Sequence, residues 1–247
     1  MEKLVYVLWS RADLGRERLR DAVLGLSEEL SRRGAQGLSF NLCDEQAAFA
    51  QGMRITRMDP PIAGTASVWM HTALDRAPIE ESLRGVAERL AGYLVLESMP
   101  LVNRTHVVPA GERLPGICTV ALLEKPDFLS YEGWLEKWQG HHTRVAIETQ
   151  STFFYIQNVI VRAVTPDAPP WAAIVEEGFP AEAATDPMVF YAAGHDPEKL
   201  KANQRRMFAS CREFIDFTRI ESHPMSRYEM GGGIPGSNAA VGSKPHG

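Results

Sequence analysis

Ile220-Glu221-Ser222-His223-Pro224 repeats, late in the chain, the pattern of Leu96-Glu97-Ser98-Met99-Pro100. Each stretch closes a run of elements in the same order, and this agreement decides the fold. Before the first stretch, a strand over residues 3–10 leads to a helix from Asp13, an N-cap, to Arg33, with Leu19, Ala22, Val23, Leu26 and Leu30 on one face. Gly34 and Gly37 end it, and Leu38, Phe40 and Leu42 then alternate with Ser39, Asn41 and Cys43 as a half-buried strand. A third strand falls near residues 66–74. Pro78 opens a helix with Ile79, Leu83, Val86, Ala87 and Leu90 on its face, and residues 93–99 form the fourth strand.

The second stretch is preceded by the same βαββαβ order. A Pro/Gly-bearing linker, residues 108–116, is followed by a strand (117–123), a helix (130–148), a long β-branched and aromatic strand (153–164) and a shorter strand (171–179). Asp196-Pro197 caps a helix with Leu200, Met207, Phe208, Cys211 and Ile215 on its buried face, and residues 217–223 make the last strand. A Glu-Ser-x-Pro match at the same point of two identical element orders predicts an internal duplication. The fold class expected is α+β: two ferredoxin-like units, residues 1–107 and 117–230, whose sheets pack into one intramolecular α/β barrel. Residues 231–247, rich in Gly and Pro and without periodicity, read as a flexible tail.

The chemistry-bearing helix is Ser130-Tyr131-Glu132-Gly133-Trp134-Leu135-Glu136-Lys137-Trp138-Gln139-Gly140-His141-His142-Thr143-Arg144-Val145. At 3.6 residues per turn, Tyr131, Trp134, Leu135, Trp138, His142 and Val145 share a face, with Thr143 on the other. An imidazole there needs a partner, and a shielded histidine of near-neutral pKa suits proton transfer. The corresponding first-half helix has neither Trp nor His. Glu221 and His223, two apart on a strand, project to one face, where the carboxylate orients the ring. Tyr155 and Gln157, and on the opposite face Asn158 and Arg162, offer polar contacts, with His141 half exposed. His71, on the third strand, and the loop residues His106 and His195 are weaker candidates.

Ser130, Trp134, Trp138 and His142, after a strand ending Leu123-Glu124-Lys125-Pro126, resemble the EthD-type domain of the dimeric α/β-barrel superfamily. The match covers this strand and helix; the rest of residues 116–228 follows by element order, and the first half is a degenerate copy. The resemblance implies a pocket between sheet and helices for a small aromatic or polyketide-like compound. His142, His223 and Glu221 are then the catalytic candidates, and Trp134, Trp138, Tyr155 and His141 the substrate contacts. A cofactor-independent enzyme (lyase, dehydratase, isomerase or monooxygenase) is the leading expectation. A haem protein with His142, His195 or His223 as axial ligand is the second, and a non-catalytic small-molecule-binding accessory protein the third.

With 45% hydrophobic and 23% charged residues, the 247-residue chain has an ordinary globular composition. A net charge of −5 without a basic patch argues against nucleic acid or an anionic membrane as partner. The first apolar run is too short to span a bilayer and reads as a strand. Three scattered cysteines, Cys43, Cys118 and Cys211, read as buried free thiols in a reducing cytoplasm. No metal-ligand spacing, phosphate loop or nucleophile elbow is present. A monomer and a homo-oligomer both remain open.

Overall fold

The structure, a computed structural model, describes residues 1–11 and 13–232. Its element order is β1 (Glu2–Ser10), α1 (Arg16–Gly25), α2 (Ser27–Arg32), β2 (Gly37–Leu42), β3 (Gly64–Met70), α3 (Ala77–Val86), β4 (Ala87–Leu101), β5 (Ile117–Leu123), α4 (Tyr131–Leu135), a π-helical segment (Glu136–His142), α5 (Thr143–Thr149), β6 (Phe154–Ala163), β7 (Ala173–Phe179), α6 (Pro187–Phe190), α7 (Pro197–Cys211) and β8 (Glu221–Gly232). The strands close into one antiparallel barrel in the order β1-β3-β2-β8-β5-β7-β6-β4. Each half therefore contributes four neighbouring strands, in the orders β4-β1-β3-β2 and β8-β5-β7-β6, and the seams are β2–β8 and β4–β6.

Side chains alternate between lumen and outside along each strand. Val5, Val7, Tyr93, Val120, Leu122, Ile156, Ile174 and Met225 belong to a core that contains no helix residue and lines the lumen. The outward set of the first half, including Leu4, Tyr6 and Leu8, packs on Leu19, Val23, Leu30, Ile79 and Leu83 of α1–α3. The outward set of the second half, including Tyr155, Ala173 and Val175, packs on Trp134, Trp138, Ala146 and Phe214. The lumen is polar toward the β1 start. Glu176 accepts from Asn41 Nδ2 (2.8 Å), Asn158 Nδ2 (3.0 Å) and Arg227 Nη1 (2.6 Å), and Lys3 lies between it and Glu97.

Strand pairing maps one half onto the other and corrects the letter match. Leu8 faces Gly64 as Leu123 faces Ala173, and Asn41 faces Thr65 as Asn158 faces Ile174. Lys3 faces Val95 as Cys118 faces Met225, so Glu97 corresponds to Arg227, and Glu221 to Ala91. The two Glu-Ser-x-Pro stretches are not at equivalent positions.

Other expectations shift as well. The first helix breaks at Leu26 into α1 and α2, and Gly15, not Asp13, is its N-cap. The last strand begins at Glu221 and runs to Gly232, so Gly231 and Gly232 belong to it, and the rest of the expected tail lies outside the described residues. Asp196 does cap α7, its Oδ1 accepting from Glu198 N and Lys199 N. That helix, however, buries Asn203, Ser210 and Cys211 and leaves Phe208 half exposed.

Candidate functional site

Ser130 caps α4 as its sequence position implies, Oγ accepting from Gly133 N. The chain then leaves α geometry. From Glu136 to His142 it is π-helical, and Thr143 sends both its N–H and its hydroxyl to the Trp138 carbonyl. Gln157 Nε2 on β6 donates to the same hydroxyl at 2.7 Å, which draws Thr143 inward. The wider turn explains why Thr143 is buried although a 3.6-residue period places it outside. Tyr131, expected on the buried face, is exposed in the α-helical turn that precedes it. His141 is exposed.

Trp134 and Trp138 are both fully buried, 5.1 Å apart between ring centroids. Trp134 Nε1 donates to Phe214 O and Trp138 Nε1 to Tyr155 Oη, each at 3.1 Å. His142 packs against Phe214 at 4.6 Å. Ser210 Oγ donates to Met207 O, so it accepts from His142 Nδ1–H at 2.9 Å. Burial, and after it the nearby His141, lowers the His142 pKa to about 4, which keeps the ring neutral. Every one of these N–H groups has a partner, and the apolar surfaces are in mutual contact.

Glu221 and His223 lie across the sheet from that layer. They point into the lumen with Met225, and His223 faces Val120. His223 is fully buried, and its Nε2 lies 2.9 Å from Glu221 Oε2. Glu221 Oε1 accepts from the backbone N–H of Arg57. With both carboxylate oxygens accepting, His223 Nε2 carries the proton and Nδ1 presents a lone pair. That Nδ1 has no partner. Burial lowers the His223 pKa against the opposing pull of Glu221, so the ring is neutral, oriented and basic at one atom. Nearby, Trp171 stacks on Trp9 at 6.3 Å, and Ile62, Tyr93 and Leu122 complete an apolar end of the lumen.

Three residues that pattern reading did not single out shape these regions. Arg54 follows a 3-10 helix (Glu45–Met53). Its neighbour Ile55 exchanges two 2.8 Å backbone hydrogen bonds with Ser222, between Glu221 and His223. Glu177, opposite Tyr155 and Thr119, has one oxygen buried without a partner, and burial raises its pKa to about 7. Glu176 anchors the polar lumen. Of the remaining candidates, His71 and His195 are exposed, and His106 sits edge-on to Phe153 at 4.5 Å. Asn158 is buried on Glu176, Gln157 bonds Thr143 and Ser98, and Arg162 is exposed.

The histidines do not fit haem as they stand. Haem needs a large open cavity beside its axial histidine, whereas His142 lies in a layer that Trp134, Trp138 and Phe214 fill, His223 is fully buried in the barrel, and His195 lies at the surface. Among the described residues no group of three or more His, Cys, Asp or Glu could hold a metal ion, and no helix is long and apolar enough to cross a membrane.

An anthrone oxidase-like protein superposes with a TM-score of 0.51 at 10% identity, over 97% of this chain and 96% of that one. A monooxygenase-like protein from Lactobacillus acidophilus (TM-score 0.45, 8% identity, 93% and 94% covered) and a chlorite dismutase variant from Candidatus Nitrospira defluvii (0.44, 12%, 93% and 91%) are similar at a lower level. At these identities the likeness shows the fold. No protein-family model and no curated protein matches the sequence.

Proposed function

We propose that the chain is an enzyme that removes a proton from a small, electron-rich aromatic compound, with His223 as base and Glu221 as its orienting partner. The observation that carries this reading is the unpaired Nδ1 of a fully buried histidine whose other nitrogen is held by a carboxylate. A buried acceptor without a partner is costly, and a substrate proton satisfies it. Lyase, dehydratase and isomerase steps, and oxygenation through the substrate's own reactivity, all begin with this abstraction. His142, Trp134 and Trp138 then serve packing. The equivalent Asn41 and Asn158, both bonded to Glu176, support origin by tandem duplication of a ferredoxin-like unit, with the boundaries at residues 107 and 117. An EthD-type second half, a homo-oligomer and a cytoplasmic location complete the proposal; the three free, buried cysteines suit a reducing compartment.

Anthrone is a suitable first probe because its acidic carbon yields an electron-rich anion that dioxygen oxidises, anthrone plus O2 giving anthraquinone and water. Oxygen uptake catalysed by the full chain and lost in His223→Ala is the expected result. Uptake unchanged in both His223→Ala and Glu221→Gln contradicts the assignment.

A further inference from the structure

We infer that the substrate carries a carboxylate, and that Arg54, with Arg16 at the rim, anchors it at the end of the lumen where His223 lies. This rests on the proposed reading of His223. A cleft of about 280 Å³ is lined by Ser10, Arg11, Arg16, Cys43, Arg54 and Ile62. Cys43 and Ile62 also belong to the lumen core, so the cleft and the lumen share a wall. The double hydrogen bond between Ile55 and Ser222 fixes Arg54 one residue from the point where β8 turns Glu221 and His223 inward.

The charges of the cleft are unbalanced. Arg11 is held by Asp13, with Nε–Oδ1 at 3.1 Å and Nη2–Oδ2 at 3.2 Å. Among the described residues no carboxylate pairs with Arg16 or Arg54, and Arg54 Nε is buried without a partner. A guanidinium N–H cut off from water with no carboxylate to accept it is unfavourable, and the planar fork of the half-buried Arg54, beside the Cys43 thiol, matches a carboxylate. Cys43, the nearest nucleophile, does not compete for this role, because burial pushes its thiol up to about 11. The aromatic body of an acid anchored on Arg54 would lie against Cys43 and Ile62, the wall that the cleft shares with the lumen. A neutral phenol would lack the anchor, and inorganic phosphate would lack the aromatic body.

The test is equilibrium binding of 1-hydroxy-2-naphthoate, 1-naphthol and inorganic phosphate to the full chain, followed by calorimetry. The naphthoate should bind well ahead of the other two. Arg54→Gln should weaken it by about ten- to hundredfold and Arg16→Gln by a few-fold, with naphthol unchanged. Arg54→Lys, which keeps charge without the fork, should recover part of the loss, and melting curves confirm that each variant is folded. Equal binding of naphthoate and naphthol, equal binding of phosphate, no binding at all, or indifference of the naphthoate to Arg54→Gln would each overturn the inference. His223→Ala separates the two proposals: retained naphthoate affinity with lost turnover supports both. Retained turnover removes the base and leaves the anchor standing.

Discussion

His142 and His223 lie on opposite sides of the same four strands, and of the two only His223 has a ring nitrogen that is both cut off from solvent and without a partner. On the helix side, His142, Trp134 and Trp138 are sealed into a layer where each N–H has found an acceptor. On the lumen side, His223 is as deeply buried, yet one nitrogen is orphaned. The conspicuous cluster of Trp and His has its N–H groups bonded by its own surroundings. In the proposed reading, the less conspicuous pair with one group unsatisfied is where a substrate adds something.

The largest expected effect tests that contrast directly. His223→Ala should reduce turnover by about 10²–10⁴-fold, whereas His142→Gln should stay within a few-fold, in parallel kcat/KM measurements. Stability should show the reverse. Trp134→Ala should lose about 3–5 kcal/mol in urea unfolding, since it empties a fully buried indole site.

Two opposed pH dependences sharpen the helix-side picture. The folded pKa of His142, near 4, lies below its ordinary 6.5, so the unfolded chain protonates first. Stability therefore falls as pH drops from about 6.5 toward 4, by at most roughly 3 kcal/mol, and His142→Gln should flatten that limb. Glu177, raised from 4.5 to about 7, is an uncompensated carboxylate above pH 7 and a neutral acid below. Glu177→Gln should stabilise by about 1–2 kcal/mol at pH 8, with the gain vanishing as pH falls to 4.5. The smallest effect belongs to Phe208→Ser, which should change stability by less than about 0.5 kcal/mol, because the helix turns that side chain to solvent.

The sequence revealed the βαββαβ order twice, because outward strand faces and helix faces carry clean apolar periods. It misplaced β8, whose inward residues include Glu221, Arg227 and Glu229, so that a polar lumen reads like a solvated face. The Glu-Ser-x-Pro match misled for a related reason: letters do not report register, and pairing aligns Glu97 with Arg227. The pairing of Glu221 with His223 was legible from period-2 geometry alone. Arg54 was not, since only the contact of Ile55 with Ser222 brings a polar loop to that end of the lumen. Glu177 was hidden because an acidic residue on a strand ordinarily signals solvent, and the helices that cover it are distant in sequence.

The central claim concerns one atom, and nitrogen NMR of the chain labelled with ¹⁵N-histidine reads it without a substrate. Between pH 6.5 and 8, His223 should show a protonated Nε2 and a Nδ1 with the shift of a free lone pair, and Glu221→Gln should weaken that tautomeric preference. A His223 whose Nδ1 carries the proton, or which titrates as an ordinary exposed imidazole near 6.5, would contradict the account.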